Sequence, residues 1–229
     1  MRNISFVIFL LLFLMSSLKA FAHKPIVIGG GPSSAEKPYY IEDIDISQVA
    51  YHKATQGNLE IWLKFSGKEN QTLKVELGSP KLDSTKPVYF PAVAVLSRKF
   101  PPVVVPFNLP AGYGGKVYDT RGQVPEVFHE EFTGTYSWKF QPFEVVLPET
   151  GDYYIVGYLP EPREGKFWVA VGEKEKFGFW DFIRIPEIVV KVRSFHEVFP
   201  IGGILIWMWI VIVLIAVGLL VGVSALFFV

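Results

Sequence analysis

From Val198 to Val229 the chain runs for 32 residues without a charged side chain. A helix crosses the hydrocarbon core of a bilayer with about 20 apolar residues, and a water-soluble fold rarely holds so long and uniform an apolar element. Residues 200–229 are therefore expected to form one transmembrane helix. Trp207 and Trp209 suit one interfacial belt, and Phe227 and Phe228 approach the other. Gly218, Gly222 and Ala225 give this helix a small-residue side on which a second helix can pack closely. A GPI attachment signal is the alternative for a hydrophobic tail. This tail is long for that role, and no triplet of small residues sits at a polar spacer upstream.

The opposite end reads Met1-Arg2-Asn3, then an apolar run from Ile4 to Met15, then Ala20-Phe21-Ala22. A basic start, a short apolar stretch and a small-x-small ending are the three parts of a secretory signal peptide. Residues 1–22 are assigned to it, which makes His23 the first mature residue. With no basic flank beyond the tail to count, orientation rests on this signal, which carries the middle of the chain out of the cell. The expected placement is the plasma membrane, single-pass, with the ectodomain on the extracytoplasmic face. Removing residues 1–22 takes Arg2 and Lys19 from the 22 basic residues and leaves 20 against 22 acidic ones. A near-neutral ectodomain has no electrostatic footprint for nucleic acid. With no cysteine in the chain, a disulfide framework and thiolate metal sites are excluded.

Between these ends the pattern is that of strands. Leu59, Ile61, Leu63 and Phe65 alternate with polar neighbours, and Leu73, Val75 and Leu77 repeat the pattern after a polar turn at Ser66–Gln71. The two runs predict an antiparallel pair with one wet face. Val88–Leu96, Val103–Phe107, Phe143–Leu147, Tyr153–Leu159 and Lys166–Val171 supply denser strands, and Tyr40–Ile46 a first one. About eight strands separated by Pro- and Gly-containing turns predict an all-β ectodomain over 39–176, an antiparallel β-sandwich or jelly roll. Residues 23–38, with Gly29-Gly30-Gly31, read as a flexible neck. Residues 108–142 read as a long irregular insertion, either a binding loop or one packed on the scaffold. Residues 177–199 read as a juxtamembrane amphipathic helix with Pro186 at its first position and Trp180 near the headgroups. A last strand is the rival there, because Ile188–Val192 is rich in β-branched residues.

The string Phe143–Val171, FEVVLPETGDYYIVGYLPEPREGKFWVAV, carries a Leu-Pro-x-x-Gly-x-Tyr strand followed by a Gly-x-aromatic-x-Val strand. It resembles the closing strands of bacterial pre-peptidase C-terminal domains, which are secreted jelly-roll modules. With residues 128–138 and 172–187 added, the chain resembles a family of exported, membrane-anchored prokaryotic proteins that carries no assigned chemistry. The resemblance implies a non-catalytic module and transfers no site residues.

A free N-terminal His can chelate copper through its α-amine and imidazole, and nitrogen ligands suit Cu(II). His23 would need a partner; of His52, His129 and His196, His129 is chosen because Glu130 and Glu131 flank it in the long insertion. Glu42, Asp43 and Asp45 offer hard oxygen ligands for calcium, but their spacing fits a solvated strand face better. Asn70-Gln71-Thr72 is a glycosylation acceptor in a surface turn. The aromatics Tyr39, Tyr40, Trp62, Tyr113, Trp138, Tyr153, Tyr154 and Trp168 would make a sugar-binding platform if exposed, and core filling otherwise. No nucleophile elbow, zinc-protease helix or phosphate loop is present in the sequence. The expected function is non-enzymatic: a binding or structural subunit that meets the lipid bilayer and other membrane or surface subunits. Copper binding and glycan binding are its alternatives.

Overall fold

Strand alternation sorts the apolar side chains into a slab between two sheets in the computed structural model, which describes residues 23–161, 163–176, 178–199, 209–210, 212–214 and 217–218. The elements are β1 (Lys24–Gly29), β2 (Tyr39–Ile41), β3 (Gln48–Ala54), β4 (Ile61–Gly67), β5 (Thr72–Pro80), β6 (Ala92–Ser97), β7 (Gly114–Asp119), β8 (Glu126–Glu130), β9 (Thr135–Lys139), β10 (Phe143–Val146), β11 (Gly151–Tyr158), β12 (Gly165–Val171) and α1 (Phe179–Phe195). One sheet has the order β1-β3-β12-β5-β9-β8, with β10 also on β5; the other has the order β2-β4-β11-β6-β7. The result is a β-sandwich. It is not purely antiparallel, because β1 lies parallel to β3 and β2 parallel to β4.

The core lies where the inner faces meet. Ile61, Leu63, Phe65, Tyr153 and Ile155 come from the second sheet, and Leu73, Val75, Leu77, Phe167 and Val169 from the first, all with 1% exposure or less. Tyr153 stacks on Phe65 at 5.2 Å and donates its hydroxyl proton to the Glu149 carbonyl at 2.7 Å. A phenol can sit this deep because its one polar atom is satisfied.

Several expectations change. The runs at 59–65 and 72–77 do not pair: β4 lies in one sheet and β5 in the other. Alternation fixes which side chains turn inward, and two strands facing the same core from opposite sheets show the same pattern as a hairpin. The neck at 23–38 contains β1, and Gly31 passes so close to β4 that a Cβ there would lie 2.8 Å from Ile61 Cδ1. The insertion at 108–142 contains β7, β8 and β9. Residues 103–107 are no strand. The stretch from 101 to 110 around them holds Pro101, Pro102, Pro106 and Pro110, which lack the N–H that a ladder needs. It crosses the outer face of the second sheet, where Val105, Phe107 and Leu109 cover Trp62, Ala94 and Val156. Asn70 sits exposed in the β4–β5 turn with φ of 63°.

The segment before the tail is a helix, but Pro186 lies in its interior. The start is set instead by Asp181, whose Oδ2 accepts from the Gly178 N–H at 2.8 Å while its own N–H donates to the Gly178 carbonyl. The apolar face is not left for lipid. Ile188, Val189, Val192 and Phe195 recur at helical spacing; Val189, Val192 and Phe195 are buried, and Val192, Phe195 and Ile188 pack on Val49, Tyr51, Trp168 and Ala170 of the first sheet.

Residues 1–22, the assigned signal peptide, and most of 200–229, including Gly222 and Ala225, lie outside the described residues. Among the described residues no helix is long and apolar enough to cross a membrane. Trp209, residues 212–214 and Gly218 are helical, and their side chains or backbone are exposed.

Candidate functional site: the helix seat and its polar hub

Helix α1 lies along the outer face of the first sheet and is fastened at both ends. At its start Lys24 Nζ of β1 pairs with Asp181 Oδ1 at 2.8 Å. At its last turn Arg193 Nη1 donates to the Thr133 carbonyl at 2.7 Å and Arg193 Nε to the Phe199 carbonyl at 2.8 Å. Lys166 Nζ of β12 donates to the Phe195 carbonyl at 2.7 Å and pairs with Glu197 at 2.9 Å; Lys86 also pairs with Glu197. Glu197 adopts the left-handed φ of 58° that ends the helix. This conformation normally favours Gly; the Glu197 side chain is held by Lys86 and Lys166.

Between the fastenings lies a buried polar hub. His196 Nδ1 is 2.8 Å from the Val192 carbonyl, which can only accept, so Nδ1 carries the proton. Nε2 is then an acceptor, filled by the Ser137 hydroxyl at 3.0 Å, and Ser137 Oγ accepts from Trp168 Nε1 at 3.2 Å. One directed chain thus joins β12, β9 and α1. Burial holds the His196 imidazole down to about 4, so it is neutral in the hub.

Beside the hub, His23, Tyr51, Phe128, Glu130, Ser137 and Trp168 line a narrow cleft. Burial pushes the Glu130 carboxyl up to about 7, against the one hydrogen bond it accepts from the Phe132 N–H. Burial, with the Glu130 charge adding, raises the Tyr51 phenol well above its ordinary range. A raised acid is costly once it ionises. Glu130→Gln is therefore expected to raise the melting temperature at pH 8, where Glu130 is charged, and to leave it nearly unchanged at pH 5, where the acid is already neutral. Equal melting temperatures at pH 8 would show that the carboxyl is not strained there.

The two expected copper ligands are not brought together. His23 is in this cleft, its Nδ1 2.6 Å from Ser47 Oγ, and burial lowers its pKa. His129 alternates to the other face of β8 from Phe128 and Glu130, is exposed, and stacks on Tyr136 at 4.4 Å. Among the described residues no group of three or more His, Asp or Glu side chains is placed to hold a metal ion. Asp45 is paired with Lys174 at 2.7 Å and accepts from Gln71, while Asp43 accepts from the Asp45 N–H. Of the eight aromatics named as a platform, Tyr153, Trp62 and Trp168 are buried, Tyr39, Tyr113, Trp138 and Tyr154 are half-buried, and Tyr40 is 49% exposed. Ser137 and Tyr51 are not singled out by the sequence, and His196 is weighed there only as a copper partner. Their only signal was three polar groups on or beside apolar stretches, and nothing local shows that they meet.

No protein-family model and no curated protein matches the chain. Among solved structures it is similar to a periplasmic inhibitor of g-type lysozyme, PliG from Aeromonas hydrophila, at 15% identity and a TM-score of 0.33, covering 66% of this chain and 98% of that one. It is also similar to the pre-peptidase C-terminal domain of a Bacillus anthracis collagenase, at 11% identity and a TM-score of 0.31, covering 60% and 97%. A third is CorA, a surface-associated copper-binding protein of Methylomicrobium album BG8, at 11% identity and a TM-score of 0.34, covering 66% and 100%. The collagenase domain is of the kind that residues 143–171 resemble. At these scores the likenesses transfer no ligand, site or partner to this chain.

Proposed function

We propose that the chain is an exported, membrane-anchored β-sandwich that acts as a non-enzymatic binding or structural subunit of a membrane or surface assembly. The observation that carries this reading is the seat of α1. A helix fastened to the sheet by Lys24–Asp181 at one end and by Lys86, Lys166 and Arg193 at the other leads directly into the uncharged segment from Val198. A seat of this kind fixes on the sandwich the point from which the uncharged segment departs, as suits a subunit that is anchored by its tail. The signal-peptide pattern of residues 1–22 supports export, and the length of the tail supports a single span. The small-residue series Gly218, Gly222 and Ala225 supports lateral contact with another helix.

The expected result is that alkaline carbonate leaves the protein in the membrane fraction, that protease reaches the sandwich from the extracytoplasmic side only, and that mild detergent extracts it with a second subunit. Release by carbonate, or a monomer with nothing bound after extraction, overturns the proposal.

A further inference from the structure

The outer face of the second sheet, across the sandwich from α1, carries a cleft of about 440 Å3. This lies within the roughly 300–1,000 Å3 of small-molecule sites. One wall is the turn at 33–36 and the other is the proline-rich segment at 106–110; Glu60, just before β4, and Trp62 within it stand between them. Trp62 is 3% exposed, held edge-on against Phe107 at 5.3 Å and Tyr154 at 5.8 Å. Its indole N–H can only donate, and among the described residues no protein acceptor meets it. The Glu60 carboxylate can only accept. It is half-buried, burial raises its pKa, and among the described residues no cation pairs with it. Asn108 adds an exposed amide, and among the described lining residues there is no Lys, Arg or His.

We infer that this cleft binds a neutral polyhydroxylated ligand, a saccharide, between the Trp62 N–H and the Glu60 carboxylate. A hydroxyl accepts from the first and donates to the second, so one functional group satisfies both. An ammonium group would serve Glu60 but offers no acceptor to Trp62. An anion would meet Glu60 and Glu36 with no compensating cation in the lining. The C–H face of a sugar ring fits the apolar surface of Phe107 and Leu109 beside these polar atoms. The inference deepens the binding role proposed above, and depends on export only for access to such ligands.

The test uses the full chain in a detergent without a sugar headgroup. Neutral hexose and N-acetylhexosamine disaccharides are titrated to about 10 mM, enough to saturate a millimolar site, with calorimetry and tryptophan fluorescence as readouts. At least one disaccharide is expected to bind saturably, with affinity falling at least tenfold in Glu60→Gln and in Asn108→Ala at unchanged melting temperature. Asn108 is exposed, so its variant keeps the test open if Glu60→Gln fails to fold. Absence of binding by every disaccharide overturns the inference, as does equal affinity in both variants. Binding of spermidine with none of the sugars overturns it in favour of a cationic ligand. Sugar binding by a protein that carbonate releases would sink the anchoring and leave this site standing; the reverse pattern would sink the site alone.

Discussion

Trp168→Ala is expected to lower the stability of the sandwich by about 3–5 kcal/mol and to loosen α1 from the sheet. Trp168 is 4% exposed on the outer face of β12 and packs with Tyr51, Val192 and Phe195. Its indole fills a notch that Gly78 leaves on the neighbouring strand, where an added Cβ would lie 2.1 Å from Trp168 Cζ2. Truncation empties a space floored by the strand backbone at Gly78 and roofed by Tyr51, Val192 and Phe195. It also removes the donor at the head of the chain Trp168–Ser137–His196. Undone hydrogen bonds in such a place cost about 1–3 kcal/mol beyond the lost packing. The measurement is urea unfolding in detergent together with amide exchange of residues 184–195. A loss below about 1.5 kcal/mol with α1 still protected would show that the helix is held by its end fastenings and not by this ring.

The residues that make this hub were legible singly and illegible together. Trp168 falls at an outward position of an alternating strand, Ser137 in a stretch without clear alternation, and His196 just past a helix. The periodicity of Ile188, Val192 and Phe195 requires that something apolar cover that face, and a bilayer surface satisfies the pattern as well as a sheet does. The same ambiguity explains β4 and β5. Leu59–Phe65 and Thr72–Leu77 state which side chains are inward, but inward from which sheet is decided by pairings with β11 and β12, some 80 to 100 residues away. The cleft was half visible. Glu60 and Trp62 alternate outward from Ile61 and Leu63, yet nothing in their neighbourhood announces that residues 106–110 will come to lie above them. The valines of that segment argue for a strand and its prolines against one, and in the fold the missing N–H groups decide. The broad class was legible because it follows from period-two alternation and turn chemistry alone, which are local.

Acid is expected to destabilise the fold through its buried histidines. His52 is fully buried against Phe167, and its Nε2 lies 3.2 Å from the Asn58 carbonyl, while Nδ1 has no partner among the described residues. Burial lowers its pKa to about 4, as it does that of His196. In the unfolded chain both titrate near 6.5. As the pH falls from 6.5 to 4 the unfolded state therefore takes up two protons that the folded state refuses, His23, also lowered by burial, adds in the same direction, and stability drops. Each histidine contributes on the order of 3 kcal/mol to that loss. Glu130 works in the opposite direction, since the folded state holds its proton from about 7 downward and the unfolded state does not. One such acid offsets about one such histidine, which leaves a net loss of roughly 3 kcal/mol at pH 4. Below that, Asp45, Asp152 and Glu197, all held under their ordinary values first by hydrogen bonds from lysines, are protonated and release their partners. Thermal melts are thus expected to shift down by about 5–10 °C between pH 7 and pH 4.5. In His52→Leu the downward shift should be clearly smaller, because one buried imidazole fewer takes up a proton on unfolding, while His196 and His23 still do. A melting temperature that stays flat in the parent protein would mean that one of the two imidazoles reaches water in the folded state.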